Sequence, residues 1–315
     1  MSKHYLVTGG AGFIGSHLTA HLLEQGHTVT VLDNFSTGQR QNLEGLSGDL
    51  RVVEGSVTTA ADVTRAAAGV AGIFHLAAVP SVVRSIEAPL ESHEQNVTGT
   101  LNVLEAARQT GSKVVYAGSS SAYGDDQSEA KHEELREDPL SPYAATKLAG
   151  EIYCRVYSHV FGLPIVVTRF FNVFGPRQVP DSPYSGVVAA FCFSILKAGE
   201  GVRPRIDGDG SQSRDFTYVA DVARGCRLAM DADLQGCHVV NLACGGRHSV
   251  SDLLGHLVEI AGVNVEALHA PPRTGDVQHS QADVARAREL IGFAPEVSFR
   301  EGLARTFDWY RSTYS

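Results

Sequence analysis

The sequence has few cysteines and no long apolar run. Its five cysteines among 315 residues are scattered and form no C-x-x-C pair, which fits buried thiols in a reducing compartment better than disulfides or a zinc site. The longest apolar run, residues 187–196, is shorter than the about 20 residues of a membrane-spanning helix. No basic segment followed by an apolar stretch opens the chain, so no signal peptide is expected. We therefore expect a cytoplasmic protein without a membrane partner.

Basic side chains are also scarce. Lysine and arginine number 26 against 35 aspartates and glutamates, a formal net charge of -9. The resulting field repels nucleic acid, so an anionic ligand must be held locally by arginines or backbone amides. Glycine is plentiful at 32 residues, which suggests several places where the backbone turns tightly or approaches a ligand. With 43% hydrophobic and 19% charged residues, the chain has the composition of a globular protein.

Up to about residue 170, short apolar runs alternate with longer helical stretches, which is typical of β-α-β units and a parallel sheet. The predicted strands are residues 5–8, 28–32, 51–53, 72–76, 113–117 and 165–169, and the predicted helices include residues 14–24, 91–109 and 143–161. The last two helices are long and amphipathic and would suit the interface of a homodimer.

Beyond residue 170 the composition shifts to loops rich in proline and glycine. Helical patterns return at residues 187–197, 219–229, 251–261, 282–291 and 300–310, with a short strand at 238–242. We predict an α/β fold with a doubly wound parallel sheet, the Rossmann arrangement, and a smaller C-terminal α/β domain. The expected domains are residues 1–172 and 173–315, with the sheet partly shared and the boundary approximate.

A glycine turn follows the first predicted strand, with glycines at positions 9, 12 and 15 before a helix. Such a turn lets backbone amides and a helix N-terminus meet a pyrophosphate, because no Cβ blocks the approach. Asp33 ends the next strand, where the dinucleotide-binding fold places the acid that binds a ribose 2′-hydroxyl. A carboxylate there would repel a 2′-phosphate, so the expected cofactor is NAD and not NADP.

Tyr143 and Lys147 are four residues apart at the start of a predicted helix and therefore share one helix face. An ammonium near the phenol, together with a nicotinamide cation, would lower the pKa of the tyrosine from about 10 towards the working pH. Strand 113–117 runs into three serines, Ser119, Ser120 and Ser121. They lie at a carboxyl edge of the sheet, where doubly wound folds bind ligands.

Together these features resemble the extended short-chain dehydrogenase/reductase family, and among its branches the UDP-sugar 4-epimerases. The resemblance covers nearly the whole chain, and its motifs are specific in this order. They are TGGAGFIG from residue 8, LDNFSTG from 32, HLAA from 75, NVTGT from 96, the triple serine, SPY from 141 with Lys147, RFFNVFG from 169, SRDF from 213 and RTGD from 273.

The resemblance implies that Ser119 is the catalytic hydroxyl, Tyr143 the base and Lys147 the group that holds the phenol and the nicotinamide ribose. It implies a substrate site formed by Ser119, Ser120, Ser121, Tyr143, Asn172, Val187, Arg214, Arg273, Asp276 and Ser280. It implies an NAD site formed by Gly9, Gly12, Phe13, Ile14, Gly15, Asp33, Asn34, Ser36, Thr37, Gly38, Ser56, Val57, Leu76, Ala77, Ala78, Asn96, Tyr143, Lys147 and Phe170. Ser56 departs from the family, which commonly has aspartate there against the adenine, although the backbone of Val57 could still serve.

The implied reaction is NAD-dependent epimerisation at C4 of a UDP-hexose through a 4-keto sugar, with the proton passing to Tyr143 directly or through Ser119. Family dehydratases and decarboxylases carry acids in the stretch occupied here by Ser120 and Ser121. Uronate epimerases commonly have threonine at Asn172, which favours a neutral sugar here. A catalytically inactive NAD-binding sensor or scaffold is the alternative from a different class.

Ser280 bears on the size of the sugar. In the resembled epimerases this position abuts the C2 substituent, and enzymes restricted to plain hexoses have a bulky tyrosine there. Serine leaves room for an acetamido group, so UDP-GlcNAc and UDP-GalNAc are the expected substrates, with UDP-Glc and UDP-Gal also possible. No metal is expected, because His17 and His21 lack a third ligand and fit exposed helix histidines. The acidic cluster formed by Glu133, Glu134, Glu137 and Asp138 is expected to be a solvated loop.

Overall fold

The computed structural model describes residues 2–180, 186–272 and 277–314. Its strands are β1 His4–Thr8, β2 Thr28–Asp33, β3 Leu50–Glu54, β4 Gly72–His75, β5 Lys113–Ser119, β6 Ile165–Phe170, β7 Val173–Phe174, β8 Arg205–Asp207, β9 Ser213–Arg214, β10 Thr217–Tyr218, β11 Cys237–Leu242, β12 His248–Ser249, β13 Leu268–Ala270 and β14 His279–Ser280. Its α-helices are α1 Phe13–Glu24, α2 Ala60–Ala66, α3 Val82–Glu87, α4 Pro89–His93, α5 Gly99–Thr110, α6 Pro142–Phe161, α7 Val187–Leu196, α8 Val219–Asp231, α9 Val250–Ala261, α10 Ala285–Ile291 and α11 Phe299–Tyr314.

Seven strands form one parallel sheet in the order β11-β6-β5-β4-β1-β2-β3. Its strands bury successive residues, such as Tyr5, Leu6 and Val7 in β1, because helices cover both faces. Helices α1, α8 and α10 pack on one face, and α2, α5 and α6 pack on the other. The predicted doubly wound fold is therefore confirmed. The strand order reverses direction between β1 and β4, and ligands bind at the carboxyl ends beside such a point.

The C-terminal part of the chain builds a second core from α7, α9 and α11. Aromatic rings fill it, and Phe174 makes edge contacts with Phe216, Tyr218 and Phe299. Short paired strands connect the segments of this region. Strand β9 pairs with β12 and β14, β8 pairs with β13, and β7 pairs with β10. These pairs of two or three residues were not predicted, since so short a strand leaves no periodic signal.

The predicted strand at 238–242 belongs to the main sheet. As β11 it pairs along its whole length with β6, so the C-terminal half supplies the seventh strand of the sheet. The domain boundary near residue 172 stays a prediction.

The helix predicted over residues 91–109 is interrupted. A π-helical turn, Glu94–Thr98, lies between α4 and α5. Such turns occur mostly as single insertions within α-helices, frequently at functional sites. Here the turn places the buried Asn96 so that its side chain bonds to the Val79 backbone and to Thr146 Oγ1.

Two expectations about polar side chains were wrong. His17 and His21 are half-buried and not exposed. The acidic cluster is not simply a solvated loop, because Glu137 pairs with the fully buried Arg169 at 2.9 Å. Glu133 accepts a hydrogen bond from the Asn241 amide at 2.7 Å. These carboxylates therefore fasten the loop to the sheet.

None of the helices in the described ranges has the length and apolar character needed to cross a bilayer. The same residues contain no group of three His, Cys, Asp or Glu side chains that could hold a metal.

Candidate active site

A cleft of about 620 Å³ runs along the carboxyl edge of the main sheet. Most of the predicted cofactor residues line it. Ser119, Ser120 and Asn172 reach it from the ends of neighbouring strands, and Tyr143 and Lys147 reach it from α6. The predicted residues in its lining are Gly9, Gly12, Phe13, Ile14, Gly15, Asp33, Asn34, Ser36, Thr37, Gly38, Val57, Leu76, Ala77, Ala78, Ser119, Ser120, Tyr143, Lys147, Phe170 and Asn172.

The glycine turn between β1 and α1 forms a cradle at one end of the cleft. A Cβ on Gly15 would lie 2.1 Å from the Gly9 carbonyl oxygen, so only glycine lets α1 begin so close to the turn. No side chain in the described part of the chain caps the start of α1. Its first amides therefore suit an anion such as a pyrophosphate.

Asp33 stands beside this cradle at the end of β2. Its carboxylate accepts hydrogen bonds from the Ala11 amide at 2.9 Å and the Phe35 amide at 2.8 Å. These bonds fix the carboxylate in the lining of the cleft, with lone pairs left to accept from ribose hydroxyls. The cradle and this acid together fit NAD.

Ser56 and Asn96 are predicted cofactor ligands that lie outside the cleft lining. The Ser56 hydroxyl hydrogen-bonds with the Thr58 hydroxyl at 2.8 Å. Asn96 is 1% exposed and is held by Val79 and Thr146, so it shapes the wall of the cleft. The backbone of Val57 was expected to serve on the adenine side, and its carbonyl accepts a hydrogen bond from Asn102 Nδ2 at 2.8 Å.

Helix α6 places Tyr143 and Lys147 at the centre of the cleft. The helix begins there because Pro142 occupies its first position and Ser141 Oγ accepts from the Ala144 amide at 3.1 Å. Lys147 Nζ donates to the Ala117 carbonyl at 3.0 Å. Burial lowers the pKa of Lys147 to about 8. A positive charge in a buried site that excludes water strongly favours a nearby phenolate.

Ser119 ends β5 beside Tyr143. Burial raises the pKa of Tyr143, and the hydrogen bond with Ser119 works against that rise. Ser119 Oγ also accepts from the Ser121 hydroxyl at 2.8 Å and from the Ser121 amide at 3.2 Å. Since two donors occupy its lone pairs, the Ser119 hydroxyl is oriented as a donor.

The buried His75 lies near Lys147. His75 Nδ1 is 2.7 Å from Thr8 Oγ1, and His75 Nε2 is 3.0 Å from Thr100 Oγ1. Burial, with Lys147 nearby, lowers the pKa of His75 to about 3. The ring is therefore neutral and adds no second positive charge beside Lys147.

Hydrogen bonds between distant segments assemble the predicted substrate side. Asn172 Nδ2 donates to the Asp215 carbonyl at 3.0 Å, and the Asp215 amide donates to the Ser280 carbonyl at 2.8 Å. Arg214 lies beside Ser280 in the paired strands β9 and β14. The structure thus brings Asn172, Arg214 and Ser280 into one region.

Several predicted substrate residues do not line the cleft. Ser121 lies behind Ser119, Val187 is the first residue of α7, and Arg214 and Ser280 lie beyond the cleft wall. Arg273 and Asp276 lie outside the described residues.

The cleft also has lining residues that sequence reasoning missed. Those with polar or charged side chains are Asn42, Ser81, Arg84, Gln95, Arg177 and Gln178. Asn42 donates to the Ala11 carbonyl at 2.9 Å, a contact across 31 positions that carries no local sequence signal. Arg177 was recognisable only as one residue of a loop.

The fold and this cleft define a dinucleotide-dependent enzyme with a serine, tyrosine and lysine at the carboxyl edge of a Rossmann sheet. Residues 5–243 match the profile described as the NAD dependent epimerase/dehydratase family. The chain belongs to that family, and its cofactor is NAD.

Individual relatives act on different UDP-sugars. The chain is 38% identical to a UDP-glucose 4-epimerase of Mycolicibacterium smegmatis, over 98% of each chain. It is 32% identical to a UDP-N-acetyl-alpha-D-glucosaminuronate decarboxylase of Bacillus cytotoxicus, over 99% of this chain and 98% of the relative. Among solved structures, it resembles a UDP-N-acetylglucosamine 4-epimerase from Methanobrevibacter ruminantium in complex with UDP-N-acetylmuramic acid. That likeness has a TM-score of 0.94 and 34% identity over 99% of each chain.

Proposed function

We propose that this protein epimerises C4 of a neutral UDP-hexose, with UDP-GlcNAc and UDP-GalNAc as its main pair and UDP-Glc and UDP-Gal as a second pair. One observation carries the choice of reaction. Among the cleft-lining residues that the structure describes, Asp33 is the only carboxylate, and two backbone amides hold it at the ribose end. Ser120 and Tyr143 therefore have no neighbouring acid in that lining to drive elimination from the sugar.

The proposed catalytic roles follow from the contacts at the centre of the cleft. Bound NAD supplies the hydride acceptor for C4 and the hydride donor for the return. Tyr143 removes the proton of the sugar 4-hydroxyl and gives it back once the 4-keto sugar presents its other face. Lys147, fixed on the Ala117 carbonyl, stabilises the phenolate. A relay would require Ser119 Oγ to accept the sugar proton. Because the Ser121 hydroxyl and amide already donate to both lone pairs of that oxygen, the geometry favours direct proton transfer to Tyr143.

Two observations support the N-acetylated pair. Ser280 offers a small side chain beside Arg214 in the substrate region, and a structural neighbour at TM-score 0.94 is a UDP-N-acetylglucosamine 4-epimerase. The proposed UDP ligands remain Asn172, Arg214, Arg273 and Asp276, with the three serines and Val187 near the sugar.

The test offers the purified enzyme UDP-GlcNAc, UDP-Glc and UDP-glucuronate separately and resolves the products by NMR. We expect epimerisation of UDP-GlcNAc and slower epimerisation of UDP-Glc. Ser280→Tyr should abolish the first activity and retain part of the second, because the phenol ring would fill the acetamido space. An enzyme that converts only UDP-Glc would refute the size argument. Conversion of UDP-glucuronate alone, or release of carbon dioxide from it, would replace the proposal, and no turnover of any sugar would favour a sensor.

We also propose that the protein is a cytoplasmic homodimer. Helix α6 turns an apolar stripe outward, and Ile152, Val156 and Val160 on it are 46–59% exposed. Residues four apart on a helix share one face, so a second copy of α6 could cover this stripe. Light scattering should give the mass of two chains, and the mass of one chain would contradict the proposal.

A further inference from the structure

Arg177 has a backbone conformation that few side chains adopt. Its φ is 67°, in the left-handed region, and it follows Pro176 in the loop after β7. For a residue other than glycine or asparagine this conformation costs about 1–2 kcal/mol. Such residues persist where the surrounding structure over-determines them, and they cluster at ligand clamps.

No carboxylate in the described part of the chain pairs with the side chain of Arg177. It lines the cleft, and its Nη1 atom is buried without a hydrogen bond among the described residues. Burial lowers the pKa of this guanidinium, and no carboxylate among the described residues counters that effect. An arginine is normally buried with an anion that satisfies its donors. The other cleft arginine, Arg84, has one, because it pairs with Glu91 at 2.5 Å.

The loop that carries Arg177 is fastened to the cofactor cradle. His17 Nε2 hydrogen-bonds with the Pro176 carbonyl at 2.9 Å. His17 lies one turn beyond Phe13, the first residue of α1, and the two rings make an edge contact at 6.1 Å. Burial lowers the pKa of His17 to about 4, and the charge of Arg177 contributes to that shift. The guanidinium is therefore close to the helix whose N-terminus meets the pyrophosphate.

We propose that Arg177 binds the diphosphate of NAD from the side opposite the glycine turn. The amides at the start of α1 then hold one face of the diphosphate, and the guanidinium closes the other with charge-assisted hydrogen bonds. The binding of the anion offsets both the strained backbone and the buried charge. This assignment rests on NAD as the cofactor and is independent of which UDP-sugar reacts. The competing ligand is the diphosphate of the UDP-sugar, which enters the same cleft.

The test compares Arg177→Asn and Arg177→Lys with a surface control, Arg311→Asn. Asparagine tolerates a positive φ, so the first variant removes the guanidinium without adding backbone strain. Lysine restores the charge without the bidentate geometry. Arg311 pairs with Asp308 on the exposed face of α11, 62% exposed, so its variant matches the change in charge.

Three quantities are measured for each variant: NAD retained per purified chain, the calorimetric Kd for added NAD, and the Kd for UDP on NAD-loaded protein. We expect Arg177→Asn to weaken NAD binding at least about tenfold, Arg177→Lys to weaken it less, and UDP binding to stay unchanged in both. Weakened UDP binding with normal NAD binding would overturn the proposal in favour of the substrate diphosphate. Normal binding of both ligands would also overturn it. If Arg177→Asn fails to fold, Arg177→Lys alone tests the proposal. Its smaller loss of affinity must then affect NAD and not UDP.

Discussion

The two sides of the cleft are built differently. On the cofactor side, the glycine turn, Asp33 and the start of α1 lie within one β-α-β unit, and main-chain contacts hold them tightly. On the substrate side, Asn172, Arg214 and Ser280 come from segments far apart in sequence and meet through strands of two residues. Asn172 on this side has a positive φ.

This difference separates what the family shares from what an individual enzyme recognises. A dinucleotide is bound by backbone geometry, which few side-chain changes can alter. A sugar is bound by side chains on short connections, which substitutions alter easily. We therefore expect changes on the cofactor side to affect cofactor content and stability together. Changes on the substrate side should affect substrate affinity with little cost to the fold.

The largest effect is expected where the two sides meet. Tyr143→Phe removes the phenol oxygen that we propose as the base and leaves the ring in place. Turnover should fall roughly 10²–10⁴-fold, the usual scale for a positioned base, while NAD content and UDP affinity stay normal. Steady-state kinetics with calorimetry would measure both. Near-normal turnover would refute the assignment of the base.

A smaller but still large effect is expected in the cradle. Gly15→Ala places a Cβ 2.1 Å from the Gly9 carbonyl oxygen, so the turn must shift. The variant should lose NAD and about 2–4 kcal/mol of stability, within the upper range of single substitutions. Gly255→Ala is the matched control, because its Cβ meets nothing within 4 Å inside α9. That control should gain about 0.5–1 kcal/mol. Equal behaviour of the two variants in thermal unfolding would show that the cradle is not constrained.

The smallest effect is expected on the substrate side. Arg214→Ala should weaken UDP binding by about 1.5–3 kcal/mol, typical of a charge-assisted hydrogen bond, and leave NAD content unchanged. Arg214 also donates to the Ser213 carbonyl at 2.9 Å, so a control must remove a similar contact elsewhere. Arg203→Ala does so, because that exposed side chain donates to the Glu266 and Ala267 carbonyls. Calorimetry should show a loss of UDP affinity in the first variant only.

Most residues of the predicted cofactor side line one cleft, and they could be identified from the sequence because their signals are local. A strand, three spaced glycines and an acid at the next strand end are read along some thirty residues. The helix face shared by Tyr143 and Lys147 was predictable for the same reason. The role of Ser121 behind Ser119 was not, since it depends on how the chain turns after β5.

The missed features depend on contacts between distant segments. Nothing near Arg177 in the sequence signals its left-handed backbone, which the loop after β7 imposes. The ion pair of Glu137 with Arg169 crosses 32 positions, so the acidic run looked like a solvated surface. The π turn at Glu94–Thr98 differs from an α-helix by its hydrogen-bond register alone, which apolar periodicity does not reveal.

The seventh strand limits how freely the two halves of this protein could be exchanged in evolution or by design. Strand β11 covers β6 along six paired positions, from Ile165 to Phe170. A fragment that stopped near residue 172 would keep every NAD-lining strand end, yet it would present β6 as a bare apolar edge. Such edges recruit other chains and aggregate. We therefore expect the two halves to unfold together, and a chimera that takes only the cofactor half needs another strand to cover β6.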